Sequence, residues 1–156
     1  MMLMDALSRD EALELLDTSL VAHIGLISDD SPYVTPMSYV RDGDRLLFRT
    51  EAGKKLDALR SNPSVCVEVS TFDDETGDWA SVIVTGVASE VTDDHSKQVA
   101  VDGLFRRYSR VMGDPLRSGG LQPLPGFPHV IEVSIDEISG MSSGRGFSAR
   151  TRPGRL

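Results

Sequence analysis

A mainly β (α+β) fold, a small antiparallel barrel with short flanking helices, is what this chain predicts, and three observations carry the expectation. Short runs of β-branched and aromatic residues recur, each closed by Gly, Pro, Asn or Asp. Helical spacing is confined to three stretches that do not alternate with the strands as βαβ units would. No GxGxxG is present, so nothing supports a dinucleotide-type parallel sheet.

The first helix is announced by Ser8, with Glu11 three residues on as a capping box, and Ala12, Leu13, Leu15 and Leu16 form its apolar face. Val21 to Ile27 reads as the first strand, turned by Ser28-Asp29-Asp30-Ser31-Pro32. Val34 to Val40 reads as the second, with Pro36 marking an edge or a bulge. Arg41-Asp42-Gly43-Asp44 supplies hairpin turn chemistry, and Leu46-Leu47-Phe48 opens the third strand, which ends in Arg49 and Thr50. Gly53, Lys54 and Lys55 lead into a short helix over Leu56 to Arg60, stopped by Asn62-Pro63. Val65 to Ser70 and Trp79 to Val91 read as the fourth and fifth strands, separated by the polar loop Asp73 to Asp78. Ser96 to Met112 has helical spacing, with Val99, Leu104, Tyr108, Val111 and Met112 as inward candidates. Gly113 to Pro128 is rich in Gly and Pro and reads as a loop, a lid or a dimer contact. Val130 to Ile138 alternates as a sixth and final strand. Residues 1–140 thus form one domain, and 141–156, with four arginines and no acid, read as a basic, mobile tail.

Composition narrows the function. With 156 residues, 40% apolar and 26% charged, the chain is ordinary for a soluble globular domain. A net charge of −8 argues against nucleic-acid binding, which needs a basic face. No stretch approaches the ~20 apolar residues of a membrane span, and the first residues lack a secretory n-region, so a cytoplasmic location is expected. The single Cys66 lies in a strand pattern and is expected as a buried small hydrophobe. His23, His95 and His129 fall on different elements without metal-ligand spacing, and none stands out as a catalytic base. With a single cysteine no CxxC occurs, which removes the usual thiol-redox reading.

Against that acidic background the positive cluster Arg49, Lys54, Lys55 and Arg60 is conspicuous, although Glu51 and Asp57 lie among the bases. Two lysines at a helix start beside a strand end can seat a phosphate, through fixed charge and free backbone N–H groups. The order of the segment from Pro32 to Pro63 resembles the pyridoxamine 5′-phosphate oxidase-like family of FMN-binding split β-barrels. Phe48-Arg49-Thr50 is similar to the family's strand end, Lys54-Lys55 to its basic pair, and Asn62-Pro63 to its helix stop. Trp79 to Gly86 is similar to the family strand that ends in Gly, and the small actinobacterial-type and nitroimidazole-resistance-like branches resemble the chain most.

The resemblance implies a six-stranded split barrel that binds FMN as a homodimer. It assigns Thr35, Pro36, Met37, Ser38 and Tyr39 to the wall along the flavin ring, and Arg49 and Thr50 to the ribityl-phosphate end. Lys54 and Lys55 would hold the phosphate. Ser81 stands where the oxidases carry a Gln reaching the flavin from the neighbouring subunit, and Trp79 is either core or a cover over that cofactor. The expected activity is a flavin-dependent oxidoreductase acting on a small molecule, with NADH or NADPH as reductant. The alternatives are a non-enzymatic binder of a flavin nucleotide or haem, and a deazaflavin-dependent reductase. The basic and aromatic residues that hold pyridoxal phosphate in the oxidases proper have no counterpart in Gly140 to Leu156.

Overall fold

The computed structural model describes residues 4–112 and 129–144, with the side chains of Val111 and Met112 excepted. The expected 113–128 loop and the tail from residue 145 lie outside these residues. In chain order the elements are β1 (Asp5–Ala6), α1 (Arg9–Thr18), β2 (Ala22–Ser28), β3 (Ser31–Met37), β4 (Tyr39–Asp42), β5 (Arg45–Thr50) and α2 (Lys54–Ser61). There follow β6 (Ser64–Phe72), β7 (Trp79–Val91), α3 (Asp94–Met112), β8 (His129–Ser134) and β9 (Glu137–Ser142). None of the described helices is long and apolar enough to cross a membrane.

All strand pairs are antiparallel, in the order β3-β2-β6-β7-β8-β5-β4, with β9 pairing β7 and β1. The two end strands of that order, β3 and β4, are consecutive in the chain and joined through Ser38. The sheet therefore curls until its two ends meet at one residue, which makes a barrel with a split. The expected single strand from Val34 to Val40 breaks at this point, because β3 pairs with β2 while β4 pairs with β5. Pro36 sits on an end strand, where its missing N–H costs no ladder hydrogen bond.

The described strands number nine, against six expected, and the extra ones have physical causes. The sixth strand divides into β8 and β9, which succeed one another along β7: Val133 faces Ala88 and Glu137 faces Thr85. The division lies opposite Gly86, where Ser134 O is so close that an added Cβ would stand 1.7 Å from it. Ser134 Oγ there accepts from Val87 N at 3.0 Å, so β7 bends around the contact and passes from β9 to β8. The two-residue β1 pairs only with the end of β9, too short to show a period in sequence. β9 runs on through Met141 to Ser142.

The core fills the barrel and is covered by α1, whose Ser8–Glu11 capping box forms as expected and whose Ala12, Leu15 and Leu16 are buried. Tyr39 and Phe48 are at its centre, fully buried, their ring centroids 6.2 Å apart. A second cluster of Leu47, Val91, Ala100 and Val130 lies beneath α3, with Val99 packed against it and Leu104 also buried. α3 begins at Asp94, two residues before the expected start, because Asp93 Oδ2 accepts from Ser96 N at 2.7 Å as an N-cap. It also closes the end of α1: Arg107 donates to the carbonyls of Leu16, Asp17 and Ser19, and Tyr108 to that of Leu20.

Candidate functional site

β6 alternates with Val65, Val67 and Val69 inward, which puts Cys66 outward and exposed, contrary to the expectation of burial. A period of two fixes the side of the sheet before residue type does. The same logic sorts the expected site residues.

On β3 the register places Tyr33, Thr35 and Met37 opposite the buried Leu26, Ile24 and Ala22, so these three share the inner face at the open end of the sheet. Pro36 faces His23 on the outer side, and Ser38 is exposed at the split. Tyr39 does not line an open wall. Its ring is buried beneath Arg107, whose guanidinium lies 4.7 Å from the centroid, and its hydroxyl donates to the carbonyls of Leu16 and Ser19. Burial raises the phenol above its ordinary value, so it stays protonated. Its backbone N–H, donating to Tyr108 Oη at 3.0 Å, anchors the start of β4.

The start of α2 lies beside this inner face. Gly53 is the N-cap, at φ 154°, a conformation that favours glycine, and no side chain caps the helix. The N–H groups of the first turn therefore lack a side-chain acceptor and carry the positive end of the helix dipole. Lys54 is exposed, with Nζ 5.1 Å from the centroid of the Tyr33 ring, and this contact joins α2 to β3. Lys55 is half-buried, with no carboxylate of the described residues in ion-pair range, and burial holds its ammonium below the ordinary lysine value. Burial likewise lowers the Arg49 guanidinium. A carboxylate or phosphate placed beside Lys55 would relieve its cost.

Arg49 and Thr50 are neighbours on β5 and point to opposite faces. Thr50 shares the buried face of Phe48 and lies opposite His129, whereas Arg49 lies on the side of Leu47, opposite Val130. Arg60, expected within the basic cluster, is drawn away at the far end of α2, where Glu90 takes it at 2.9 Å and also meets His129 Nδ1 at 2.6 Å. Arg60 and His129 hold the Glu90 carboxyl below its ordinary value.

Trp79 and Ser81 are half-buried on β7, opposite Phe72 and Ser70. Three strand spacings separate β7 from β3, about 14 Å at ~4.8 Å each along the sheet, so within one chain Ser81 is set apart from the β3 residues expected along the ring. A groove of about 490 Å³ bounded by Leu7, Arg9, Ala12, Ile83, Glu137 and Ile138 contains none of the expected residues. Tyr33 was not foreseen as part of the site. Its signal was the period of two, which puts it on the same side of β3 as Thr35 and Met37.

Residues 8–142 match the family described as pyridoxamine 5′-phosphate oxidase. An uncharacterized protein of Rhizobium meliloti is 29% identical over 154 residues, covering 93% of this chain and 99% of its own. Among solved structures, a FAD-binding protein of Mesorhizobium loti is similar with TM-score 0.70 and 26% identity, covering 90% of this chain and 99% of that one. A candidate 5-nitroimidazole antibiotic resistance protein of Bacteroides thetaiotaomicron shares the fold, with TM-score 0.68, 19% identity, and 89% and 88% coverage.

Proposed function

The chain belongs to the pyridoxamine 5′-phosphate oxidase family, and from that premise we propose that it is a flavin-binding oxidoreductase, with FMN as cofactor, working as a cytoplasmic homodimer. The observation that carries the reading is the start of α2: an uncapped helix end at Gly53 with Lys54 and the half-buried Lys55 beside it. These residues fit a flavin phosphate, since a dianion there gains two charge-assisted contacts and the helix N–H donors.

Bound flavin would supply hydride or electron transfer, with NADH or NADPH as reductant and a small molecule as acceptor. Lys54 and Lys55 hold the phosphate. Thr50, at the strand end, contacts the ribityl chain, and Arg49 adds positive potential from the opposite face of β5. Thr35 and Met37 give the ring a flat wall, continued by the backbone of Pro36 and Ser38 along the end of the sheet. Tyr39 serves that wall from behind, by fixing the backbone where β3 passes into β4. Ser81 and Trp79 reach the flavin of the second copy. The fold and sequence similarity to a FAD-binding protein supports a flavin nucleotide generally; the open first turn of α2 serves FMN and FAD alike, because both present a phosphate next to the ribityl chain.

The test is the absorption spectrum of the purified protein, followed by release and chromatography of whatever is bound. A flavin spectrum that bleaches on NADH or NADPH, with FMN recovered, is the expected result. A stable yellow protein that neither nicotinamide reduces, or a Soret band, would turn the assignment to a binding protein.

A further inference from the structure

The β2–β3 hairpin closes on Asp29 and Asp30, both at positive φ, so Ser28 and Ser31 form a hydrogen-bonded pair. Bonded and non-bonded pairs alternate from there, and the bonded ones that follow are Leu26–Tyr33, Ile24–Thr35 and Ala22–Met37. Pro32 and Pro36 fall on non-bonded positions, which suits residues that have no N–H. Continued in the same register, the next bonded pair would be Leu20 and Tyr39, at the split beside Ser38. The Tyr108 hydroxyl stands in place of that bond: it accepts from Tyr39 N at 3.0 Å and donates to the Leu20 carbonyl.

The other neighbour of Tyr39 leaves its N–H free for this. The β4–β5 hairpin closes on Gly43 and Asp44, so Asp42–Arg45 and Val40–Leu47 are its bonded pairs. Tyr39, opposite Phe48, therefore turns its N–H away from β5 and towards β2. The hydroxyl itself is held from α3. Arg107, one residue before it, donates to the carbonyls of Leu16, Asp17 and Ser19. Gly103 lies so close to β4 that an added Cβ would stand 3.1 Å from Val40. α3 cannot slide without losing its contacts to both α1 and β4.

We propose that Tyr108 is a positioning residue of the candidate flavin site, a spacer whose hydroxyl fixes the width of the split at Ser38. A direct ladder bond would draw the end of β3 onto β2. One interposed oxygen sets the two backbones apart by up to about one further hydrogen-bond length, ~2.8 Å. The turn from β3 into β4 is thereby fixed, and with it the Thr35–Ser38 backbone that forms the ring wall. This role rests on the flavin reading of that wall; the spacer geometry does not. A phenylalanine at 108 keeps the ring in the gap, so Tyr39 N and Leu20 O lose their bridge without closing on each other.

The experiment compares the parent with Tyr108→Phe and with Ser8→Ala, which removes a helix cap at the far end of α1 and lowers stability by a similar amount. Cooperative unfolding in urea checks that each variant folds. In the apoprotein, the Tyr39 amide of Tyr108→Phe should exchange at least about tenfold faster than in the parent, measured against β6 amides of the same sample. Riboflavin and FMN should both bind about tenfold more weakly, by the same factor, because the wall meets the ring that both contain. The visible circular dichroism of the bound flavin should change shape. Ser8→Ala should leave the Tyr39 exchange, both affinities and the dichroism as in the parent. An unchanged Tyr39 exchange in Tyr108→Phe overturns the spacer. Faster exchange with both flavins bound as in the parent overturns the positioning role, as does a loss confined to FMN. A parent that binds neither flavin overturns the flavin reading and the positioning role with it, whereas the exchange result tests the spacer independently.

Discussion

Replacing Lys54 and Lys55 by alanine together tests the candidate site most directly. The two lysines differ in setting. Lys54 is exposed over the Tyr33 ring, and a charge-assisted bond from it falls at the low end of the usual range, about 1.5 kcal/mol. Lys55 is half-buried, water competes less for its ammonium, and its bond belongs near the upper end, about 3 kcal/mol. Their sum of ~4.5 kcal/mol corresponds to a loss of about a thousandfold in FMN affinity, at ~1.4 kcal/mol per tenfold. Lys55→Ala alone should account for most of it. The apoprotein should not suffer. α2 is anchored by Leu56, Ala58 and Leu59, alanine is the best helix former, and a lysine whose folded value is depressed contributes unfavourably while charged. The assay is a fluorescence titration of FMN into apoprotein, with riboflavin as the control that lacks a phosphate. If the double variant binds FMN as tightly as the parent, or if the parent prefers riboflavin, the start of α2 is not the phosphate site and the reasoning fails.

The advantage of FMN over riboflavin should fall with rising pH as Lys55 loses its proton, in a range below the ordinary 10.5, because its folded value is lowered; Lys55→Arg should flatten this alkaline limb in the same titration. Gly86→Ala places a Cβ 1.7 Å from the Ser134 carbonyl oxygen, so the bend of β7 must open; denaturant unfolding should show a loss above ~3 kcal/mol or no cooperative fold. Tyr39→Phe removes a buried hydroxyl donor to the carbonyls of Leu16 and Ser19, which Arg107 also serves, so a loss of only about 1 kcal/mol is expected by urea unfolding, with FMN affinity nearly unchanged. A large fall in FMN affinity for that variant would show that the Tyr39 hydroxyl, rather than its backbone, serves the ligand.

Most elements, and the basic start of α2 from which the phosphate seat is proposed, are legible in the order of residues alone. Capping at Ser8, the break at Asn62-Pro63, the run Trp79 to Val91 and the lysines opening α2 are local matters, governed by hydrogen bonding and side-chain type within a few residues. The side each residue faces, and where strands change partner, came only with the fold. Val34 to Val40 looks continuous, yet Ser38 divides it because the barrel must pass from one half of the sheet to the other there. Val130 to Ile138 looks continuous too, and divides because the Ser134 carbonyl presses against Gly86 on a distant strand. Tyr39 went to the core and Cys66 to the surface, both by register, which a one-residue shift would have reversed. Arg60 left the basic cluster for Glu90, and His23 found Glu68 at 45 residues' separation. These pairings depend on long-range strand order, and no local pattern of residues encodes that order strongly enough to be read without the fold.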